Sequence, residues 1–409
     1  MYEQKTRITM QSFDIIISGG GMLGLAIVAA LRESGLRIAL IEHKIPNLEK
    51  LTPKSALRVS AINTATEHML KYLGIWQDIL DLRASSYQSM EIWDKDSFGN
   101  ISFHAQEYGY THLGYIIENS VIQQTLWDKV SCQSGVTIIA PAVFQEITWG
   151  EKEAFIILNN RQILTTRLVI GIDGAHSWLR AHTDIPITFW DYRHHALVAT
   201  IQTEQPHNNC ARQVFSSNGI LAFLPLKDKQ LCSIVWSTNP EKIKYLLSLP
   251  ESDFNRELAV TFDMRLGLCK IVSSRQSYRL IGQYARSFAA HRLALAGDAA
   301  HTIHPLAGQG LNLGFMDIAK LSFLIKHLHH QGKDIGRYTY LRSYERSCKN
   351  NAALMLTTMQ GLQELFEGKN IAKKLLRDIG MTIVNNVPLL KTRLVRYGMD
   401  LSYFLDLLE

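Results

Sequence analysis

The feature that most constrains the fold is a strand–loop–helix–strand unit near the start of the chain. Residues 13–18 (FDIIIS) form a short apolar run that leads directly into Gly19, Gly21 and Gly24, which fit the pattern G-x-G-x-x-G. An apolar helical pattern and a second apolar run follow, and Glu42 ends that run about 20 residues after the glycines. This is the dinucleotide-binding fingerprint, in which the helix N-terminus receives a pyrophosphate and the acid binds a ribose hydroxyl. It predicts a doubly wound parallel sheet but does not separate FAD from NAD.

A second glycine-rich stretch follows another short apolar run, at residues 292–296, and precedes a helical pattern over residues 311–328. Its candidate binding residues are Gly297, Asp298, Pro305, Gly308, Gln309, Gly310, Leu311 and Asn312. A helix N-terminus offers unpaired backbone N–H groups and a partial positive charge, and glycines let a flat ligand approach the backbone. The stretch has no phosphate-loop lysine. The electron-rich edge of a flavin therefore fits this site better than a nucleoside triphosphate does.

Three further segments carry candidate site residues. Arg58 begins the run RVSAIN, which precedes a helix starting near Thr64, with Asn63 or Thr64 as its N-cap. The run LGYIIENSVIQQTLW contains Asn119 and Gln123 at the start of a helix. Asp173 follows a buried strand and opens the pattern D-G-x-x-S-x-x-R. Polar residues at such spacings are unusual for a simple turn, although Arg58 could be a surface charge and Gln123 part of an ordinary amphipathic helix.

Together these segments resemble the FAD-dependent aromatic-ring hydroxylases of ubiquinone biosynthesis. The resemblance implies an α/β fold with a Rossmann-like, glutathione-reductase-like FAD-binding domain, a substrate domain on a mixed or antiparallel sheet, and a helical C-terminal tail. The corresponding ranges are 1–74, 115–182 and 285–365 for the FAD-binding domain, 75–114 and 183–284 for the substrate domain, and 366–409 for the tail.

The resemblance also implies roles for individual residues. Asp298 would bind the ribityl and pyrophosphate region, while Pro305 and the AGQGLN backbone would line the flavin ring. Asp173 and Asn119 would contact FAD, with Gln123 a weaker candidate. The positions nearest the chemistry would be Arg58, His304 and Pro305, and His304 departs from the residue usual in near relatives.

The reaction implied by the resemblance is ring hydroxylation of a prenylated quinol with NAD(P)H and O₂, through a flavin C4a-hydroperoxide. The cofactor makes and breaks the bonds, and the protein orients the ring and excludes water. Two alternatives on the same fold stay open. One is a flavin dehydrogenase or prenyl reductase, and the other is a non-catalytic flavin-bound subunit of a biosynthetic assembly.

Composition narrows the class of protein further. The net charge of +6 is spread over 409 residues and gives little support to nucleic-acid binding. Five cysteines without a C-x-x-C pattern, and no apolar signal segment near the N-terminus, predict a reduced, cytoplasmic protein. His301 and His304 lack a third ligand at useful spacing, so no metal site is expected. In the second domain, Phe215, Phe223, Leu224 and Pro225 are candidates for an apolar substrate pocket, or else for core.

The C-terminal tail is rich in basic residues. Between residues 366 and 398 there are seven lysines and arginines and two acids, which gives a net charge of 7 − 2 = +5. The helical patterns of this segment are broken at Gly380 and Pro388. The segment is either a solvated helical face or a basic amphipathic surface for anionic lipid or a partner subunit. The second alternative would place the protein peripherally on the inner membrane.

Overall fold

The computed structural model describes residues 10–46, 58–303, 308–366 and 371–399. The strands are β1 (Met10–Ser18), β2 (Ile38–Ile41), β3 (Val59–Ile62), β4 (Ala84–Tyr87), β5 (Ser89–Asp94), β6 (Asn100–His104), β7 (Gly114–Glu118), β8 (Val136–Ile139), β9 (Phe144–Trp149), β10 (Ala154–Leu158), β11 (Ile163–Gly171), β12 (Ile187–Thr203), β13 (Cys210–Ser216), β14 (Gly219–Pro225), β15 (Leu231–Thr238), β16 (Cys269–Ile271), β17 (Gln276–Ala285), β18 (Ala289–Ala290), β19 (Leu293–Leu295) and β20 (His301–Thr302). The helices are α1 (Met22–Ala30), α2 (Thr64–Tyr72), α3 (Trp76–Arg83), α4 (Asn119–Ser131), α5 (Trp178–Ala181), α6 (Pro240–Ser248), α7 (Glu251–Thr261), α8 (Gln309–His330), α9 (Tyr338–Phe366), α10 (Ile371–Asn386) and α11 (Pro388–Met399).

A parallel sheet forms the centre of the first domain. Its strands run in the order β19–β11–β1–β2–β8, and each of these neighbouring pairs is parallel. Ile15, Ile16 and Ile17 of β1 are completely buried, and since consecutive side chains point to opposite faces, both faces of the sheet are covered. Helices α1 and α8 pack against each other beside this sheet. The predicted doubly wound α/β fold is confirmed.

The second domain is built on a nine-stranded sheet that is mostly antiparallel, in the order β20–β17–β12–β15–β14–β13–β5–β6 with β16 beside β12. One face of this sheet packs on α6 and α7, because Leu197, Ala199 and Ile201 of β12 alternate inward with period 2 and join the same core cluster as Phe254. Strand β20 pairs with the end of β17 and lies within the glycine-rich stretch that begins at Gly297 and leads to α8. The second sheet therefore ends next to the first domain's binding motif.

Two local expectations were wrong. The sequence pattern of residues 136–158 predicts small antiparallel strands; β9 and β10 form such a pair, but β8 pairs in parallel with β2 and extends the central sheet. Gly380 was expected to break the tail, but α10 runs through it, since one glycine in a helix costs only about 1 kcal/mol. Pro388 does begin a new helix, where its missing N–H costs nothing.

The strands of the central parallel sheet fall inside the ranges assigned to the FAD-binding domain, and those of the nine-stranded sheet fall in the substrate ranges except for β20 and the final residue of β17. A small third sheet, β3–β7–β4, includes residues from both the FAD-binding ranges and the substrate ranges. The exact domain limits stay a prediction.

Candidate cofactor and substrate site

The first glycine-rich loop lies between β1 and α1, and its three glycines meet different requirements. Gly19 has φ +107° and stands so close to β11's end that a Cβ would lie 2.5 Å from the Ile172 carbonyl oxygen. A Cβ on Gly24 would lie 1.8 Å from the carbonyl oxygen of Gly19, so this glycine lets α1 pack on the loop. A Cβ on Gly21 would meet nothing within 4 Å. Gly21 thus leaves open space in front of the helix N-terminus, where a pyrophosphate is held in this motif.

A cavity of about 650 Å³ opens in front of this loop. Five of the predicted residues line it: Gly19, Gly21, Glu42, Gln123 and Asp173. Four of them follow β1, β2 and β11, which are adjacent strands whose carboxyl ends meet at one edge of the sheet, and Gln123 is supplied by α4. The volume and position suit the nucleotide half of a dinucleotide cofactor.

Glu42 lies where β2 ends and is largely buried. Its Oε2 accepts a short hydrogen bond from the Gly20 backbone N–H, and its Oε1 accepts one from Lys44 N at 3.1 Å. The carboxylate is thus held against the glycine loop while it still faces the cavity. This is the position required of an acid that binds a ribose hydroxyl, and that role stays a prediction.

Helix α4 contributes a polar face to the cavity. Gln123 donates to the Gly20 carbonyl oxygen at 3.3 Å, and Ser120 and Gln124 line the same wall. Asn119 is not among the lining residues, because its Oδ1 accepts a hydrogen bond from Ser60 Oγ at 2.7 Å and ties α4 to β3. Of the two candidates on this helix, Gln123 is therefore the better placed. Ser120 and Gln124 were missed, although the spacing of residues 120, 123 and 124 marks one helix face.

The D-G-x-x-S-x-x-R motif forms a tight, self-bonded loop. Asp173 Oδ2 accepts hydrogen bonds from the backbone N–H groups of Trp178 at 2.8 Å and Leu179 at 3.3 Å. Its Oδ1 is buried and has no hydrogen-bond partner within the described part of the chain. Because a buried carboxylate oxygen without a donor is costly, a cofactor hydroxyl at the cavity wall would satisfy it. The arrangement fits the predicted FAD contact of Asp173.

Arg180 ends this motif and has a positioning role that sequence alone did not reveal. Its guanidinium donates to the carbonyl oxygens of Ala299 at 2.8 Å and Ala175 at 2.7 Å. Burial lowers the pKa of Arg180, and the Asp173 carboxylate opposes that shift. The arginine therefore fastens the third motif to the backbone beside Asp298.

The second glycine-rich stretch begins with a positive-φ glycine, Gly297 at φ +58°, whose Cβ would lie 2.5 Å from Leu23 Cδ1. The Asp298 side chain that follows is exposed, yet the surrounding protein raises the pKa of its carboxyl, and the charges of His301 and Arg58 oppose that rise. The Asp298 carboxyl is reached by solvent but is surrounded by protein, which is the environment of a cleft. Asp298 is thus available to a ligand, as its predicted role requires.

A buried ion pair lies directly behind Asp298. His301 Nε2 is 2.6 Å from Asp317 Oδ2, and both side chains are 1% exposed. Asp317 also accepts a hydrogen bond from the backbone N–H of Gly297 at 3.1 Å. Burial alone would lower the pKa of His301, but the Asp317 carboxylate outweighs it and raises that pKa. His301 supports the loop, and no cluster able to hold a metal occurs among the described residues.

The N-terminus of α8 presents open backbone. Gly308 has φ +65° and packs on β3, because its Cβ would lie 3.0 Å from that of Ala61. A Cβ on Gly310 would meet nothing within 4 Å, and Gln309 and Leu311 are half-buried. The first-turn N–H groups of this helix are therefore approachable by a flat ring. His304 and Pro305 lie outside the described residues.

Asn312 is a brace for this helix end. Its Nδ2 donates to the carbonyl oxygens of Ala61 at 2.8 Å and Gly308 at 3.2 Å, and its Oδ1 accepts from Asn63 N at 3.1 Å. Both amide hydrogens are used inside the protein. The predicted contribution of Asn312 to cofactor binding is thus indirect, through the position of the Gly308 backbone.

Arg58 lies where the two domains meet. Its guanidinium is 5.2 Å from the centre of the Tyr278 ring on β17, and its charge opposes the rise that burial causes in the pKa of Asp298. The side chain is exposed and is not a core residue. A cation at this point can face a cofactor phosphate or ring, as predicted.

The pocket candidates in the second domain separate onto two faces of the sheet. Phe223 stacks on Phe262 at 3.5 Å inside the core formed with α6 and α7, so it is core and not pocket. Phe215 belongs to the large core cluster that includes the first domain's buried residues, and Leu224 packs against the same apolar cluster as Val59 and Ala61 of β3. Pro225 ends β14 and is buried. Alternation along β14 explains why only one of two neighbouring residues faces the cofactor domain.

Comparison with known proteins agrees with this geometry. Residues 12–358 match the family described as FAD binding domain, and the chain belongs to that family. It is an FAD-dependent aromatic-ring monooxygenase. It is 30% identical to 3-demethoxyubiquinol 3-hydroxylase of Escherichia coli (strain K12), over 96% of this chain and 100% of the relative. It is 32% identical to the mitochondrial ubiquinone biosynthesis monooxygenase COQ6 of Danio rerio, over 94% and 89%.

The fold is also that of solved flavoprotein monooxygenases. The structure of p-nitrophenol 4-monooxygenase PnpA from Pseudomonas putida DLL-E4 matches with a TM-score of 0.77, at 17% identity, over 97% of this chain and 99% of that one. At this identity the likeness concerns the fold alone. FAD as cofactor and NAD(P)H as reductant follow from the family.

Proposed function

We propose that this protein hydroxylates the aromatic ring of a polyprenylated ubiquinone precursor, with NAD(P)H and O₂ as co-substrates. The relatives named above carry out ubiquinone-biosynthesis hydroxylations and align along nearly the whole chain. The resemblance of the runs RVSAINTATEHMLKYLGIW and VPLLKTRLVRYGM favours 2-polyprenyl-3-methyl-6-methoxy-1,4-benzoquinol as the substrate.

The observation that supports this proposal most concerns two glycines at the N-termini of two helices that pack together. Gly21 and Gly310 belong to motifs almost 300 residues apart, and each leaves unfilled space at the N-terminus of a helix. Their helices, α1 and α8, are packed together, so one extended ligand can reach both ends. The residues present therefore fit FAD, which when bound supplies the activation of O₂ that the reaction needs.

The protein's own residues hold and shield the site. The N–H groups at the start of α8 would place partial positive charge beside the electron-rich edge of a reduced flavin bound there. Arg58 adds a full charge at the boundary of the two domains. Leu224 is partly buried on the face of the second sheet turned toward α8, and would provide an apolar wall that excludes water and accepts an uncharged substrate.

The direct test is oxygen labelling. Purified protein with FAD, NAD(P)H and the quinol under ¹⁸O₂ should place one labelled oxygen on the product ring and consume one nicotinamide per turnover. Reduction of the substrate without label would replace the hydroxylase with a dehydrogenase. Quinone profiling of a strain that lacks the protein should show accumulation of the precursor without that hydroxyl group.

We also propose a cytoplasmic protein that works at the inner membrane. The support is the substrate, since each methylene of a prenyl tail resists water by about 0.8 kcal/mol. No helix in the described ranges is long and apolar enough to cross a bilayer. Contact would then be peripheral, either with lipid or with subunits of a biosynthetic assembly.

A further inference from the structure

The outward surface of the two tail helices is aliphatic. Its exposed side chains are Leu375 (54%), Leu376 (61%), Ile379 (46%) and Ile383 (47%) on α10, Val387 (38%) between the helices, and Leu389 (73%), Leu390 (41%) and Leu394 (48%) on α11. On α10 these positions follow helical spacing, so they share one face. We call these eight residues the aliphatic face. Single exposed leucines need no explanation, but a contiguous face of this kind indicates an interaction surface.

Two charged residues of α10 point the other way, into the protein. Arg377 and Asp94 form an ion pair of 2.9 Å in which both side chains are almost fully buried. Asp378 accepts hydrogen bonds from Gly99 N at 3.2 Å and from Ser97 Oγ. A solvated amphipathic helix would show the opposite arrangement. The polar side therefore fixes α10 to the second domain and leaves the aliphatic side for another environment.

The internal contacts reduce the basic surface that the tail sequence suggests. Arg377 is buried, and Lys391 pairs with Glu107 at 3.3 Å, so two of the basic residues are used within the protein. Lys374, Arg393 and Arg396 form no ion pair within the part of the chain that the structure describes. The acid of α10 and α11, Asp378, is buried. The aliphatic face is thus accompanied by cations and by no exposed acid among residues 371–399, a charge pattern complementary to anionic lipid.

The inner side of α11 is continuous with the wall of the proposed substrate site. Val395 is buried in an apolar cluster with Leu113 and Ala211, and Ala61 and Leu224 pack against the same cluster. Ala61 in turn touches the position where a Cβ on Gly308 would stand. Apolar side chains therefore extend without interruption from the tail helices to the start of α8.

We infer that α10 and α11 lie in the surface of an anionic bilayer, with the aliphatic face in the acyl region and the basic residues at the headgroups. The identity of what the bilayer delivers, a prenylated quinol, rests on the proposed function. Helix α10 has 16 residues, about 24 Å of helix, and lies along the surface instead of crossing it. The aliphatic face, and not the net basic charge, then provides most of the affinity.

Vesicle flotation with the full-length, FAD-loaded protein tests this inference. The test variant carries Leu376→Gln, Ile379→Gln, Ile383→Gln and Leu390→Gln, and the matched control carries Val260→Gln and Leu268→Gln, which are 56% and 64% exposed on the second domain. Each glutamine should weaken partition by roughly tenfold, so the test variant should leave the vesicles while the control binds as the parent does. Bound FAD and the unfolding transition of each variant show whether it is folded.

Salt separates the two sources of affinity. Vesicles of phosphatidylcholine with phosphatidylglycerol should capture the parent protein even at about 1 M salt, where the screening length is about 3 Å. Arg393→Gln with Arg396→Gln should weaken binding to these vesicles at low salt only. Complete release of the parent by salt would overturn the inference and restore a basic surface as the cause.

Other occupants give different results. If the aliphatic face holds a second copy of the chain, the parent will be a dimer by light scattering, the glutamine variant a monomer, and neither will bind vesicles. If it holds another protein, the parent will not float without that protein. Either result overturns the inference.

The enzyme assay keeps this inference apart from the proposed function. With a quinol carrying a single isoprene unit in solution, the glutamine variant should turn over as the parent does. With a long-tailed quinol in vesicles, its rate should fall in proportion to lost binding. Failure of the parent on both substrates would defeat the proposed hydroxylation and leave the vesicle result standing, whereas equal rates for parent and variant in vesicles would defeat the bilayer inference alone.

Discussion

Replacing Gly310 by alanine should separate the stability of the apoprotein from its affinity for FAD. Gly310 is the second residue of α8, and a Cβ there would meet no protein atom within 4 Å. Alanine is favoured over glycine in a helix by up to about 1 kcal/mol, so the free energy of unfolding of the apoprotein should stay level or rise by that amount. If the flavin rests on this helix terminus, the same methyl group occupies its space.

The expected loss of affinity follows from the hydrogen bonds that the methyl group displaces. One hydrogen bond between a first-turn N–H and a charged or partly charged ring edge contributes about 1.5–3 kcal/mol. Its loss would raise the Kd for FAD about tenfold to a hundredfold. Urea denaturation of the apoprotein and quenching of flavin fluorescence during titration measure the two quantities.

Two glycines serve as controls for Gly310→Ala. Gly361→Ala lies inside α9, is equally free of neighbours, and should raise stability without changing FAD affinity. Gly314→Ala would place a Cβ 2.4 Å from Leu23 Cδ1 and should destabilise the apoprotein by about 1–3 kcal/mol. An unchanged Kd for FAD in Gly310→Ala would refute the placement of the ring at this helix end.

Three further predictions concern the same site. Gly21→Ala should fold normally but bind FAD at least about tenfold more weakly, whereas Gly24→Ala should fail to give a stable apoprotein, as thermal unfolding and FAD titration would show. Asp298→Ala should purify without most of its flavin absorbance, and retention of the full flavin spectrum would contradict the proposed contact. Because the pKa of His301 is raised, its pairing with Asp317 should stabilise the fold fully below about pH 6.5 and less as the pH rises through that raised pKa. The His301→Gln variant should lose this part of the pH dependence of unfolding, and an unaltered pH profile would count against the pair.

The parts of the fold that sequence could predict are those encoded by local patterns. The unit from β1 through Glu42 and the start of α8 follow from strand and helix periods with glycines between them, so their positions hardly depend on the rest of the chain. Asn63 was one of two N-cap candidates for α2, and its side chain does accept from Thr66 N at 2.9 Å. The family resemblance then supplied the order of the domains.

The parts that sequence could not predict depend on contacts between distant segments. The tail's periodicity shows that α10 is amphipathic, but which side faces the protein depends on Asp94, which is 283 residues away from Arg377 along the chain. In the same way, nothing near Asn312 indicates that its amide hydrogens bond Ala61 and Gly308. Such partners become visible only when the sheets are assembled.

The contact between the two glycine motifs explains why their glycines should not all be interpreted as ligand contacts. Leu23 belongs to the first motif, and its side chain fills the notch that Gly297 and Gly314 of the second motif leave empty, with Cβ positions 2.5 and 2.4 Å from its Cδ1. Together with Gly24, these glycines permit protein to pack on protein. Gly21 and Gly310 face open space instead, so a side chain there harms only what binds. The packing glycines Gly24, Gly297 and Gly314 must fit before Gly21 and Gly310 can line one binding surface. Substitutions at the packing glycines should therefore lower both apoprotein stability and FAD affinity. Substitutions at Gly21 or Gly310 should lower FAD affinity alone.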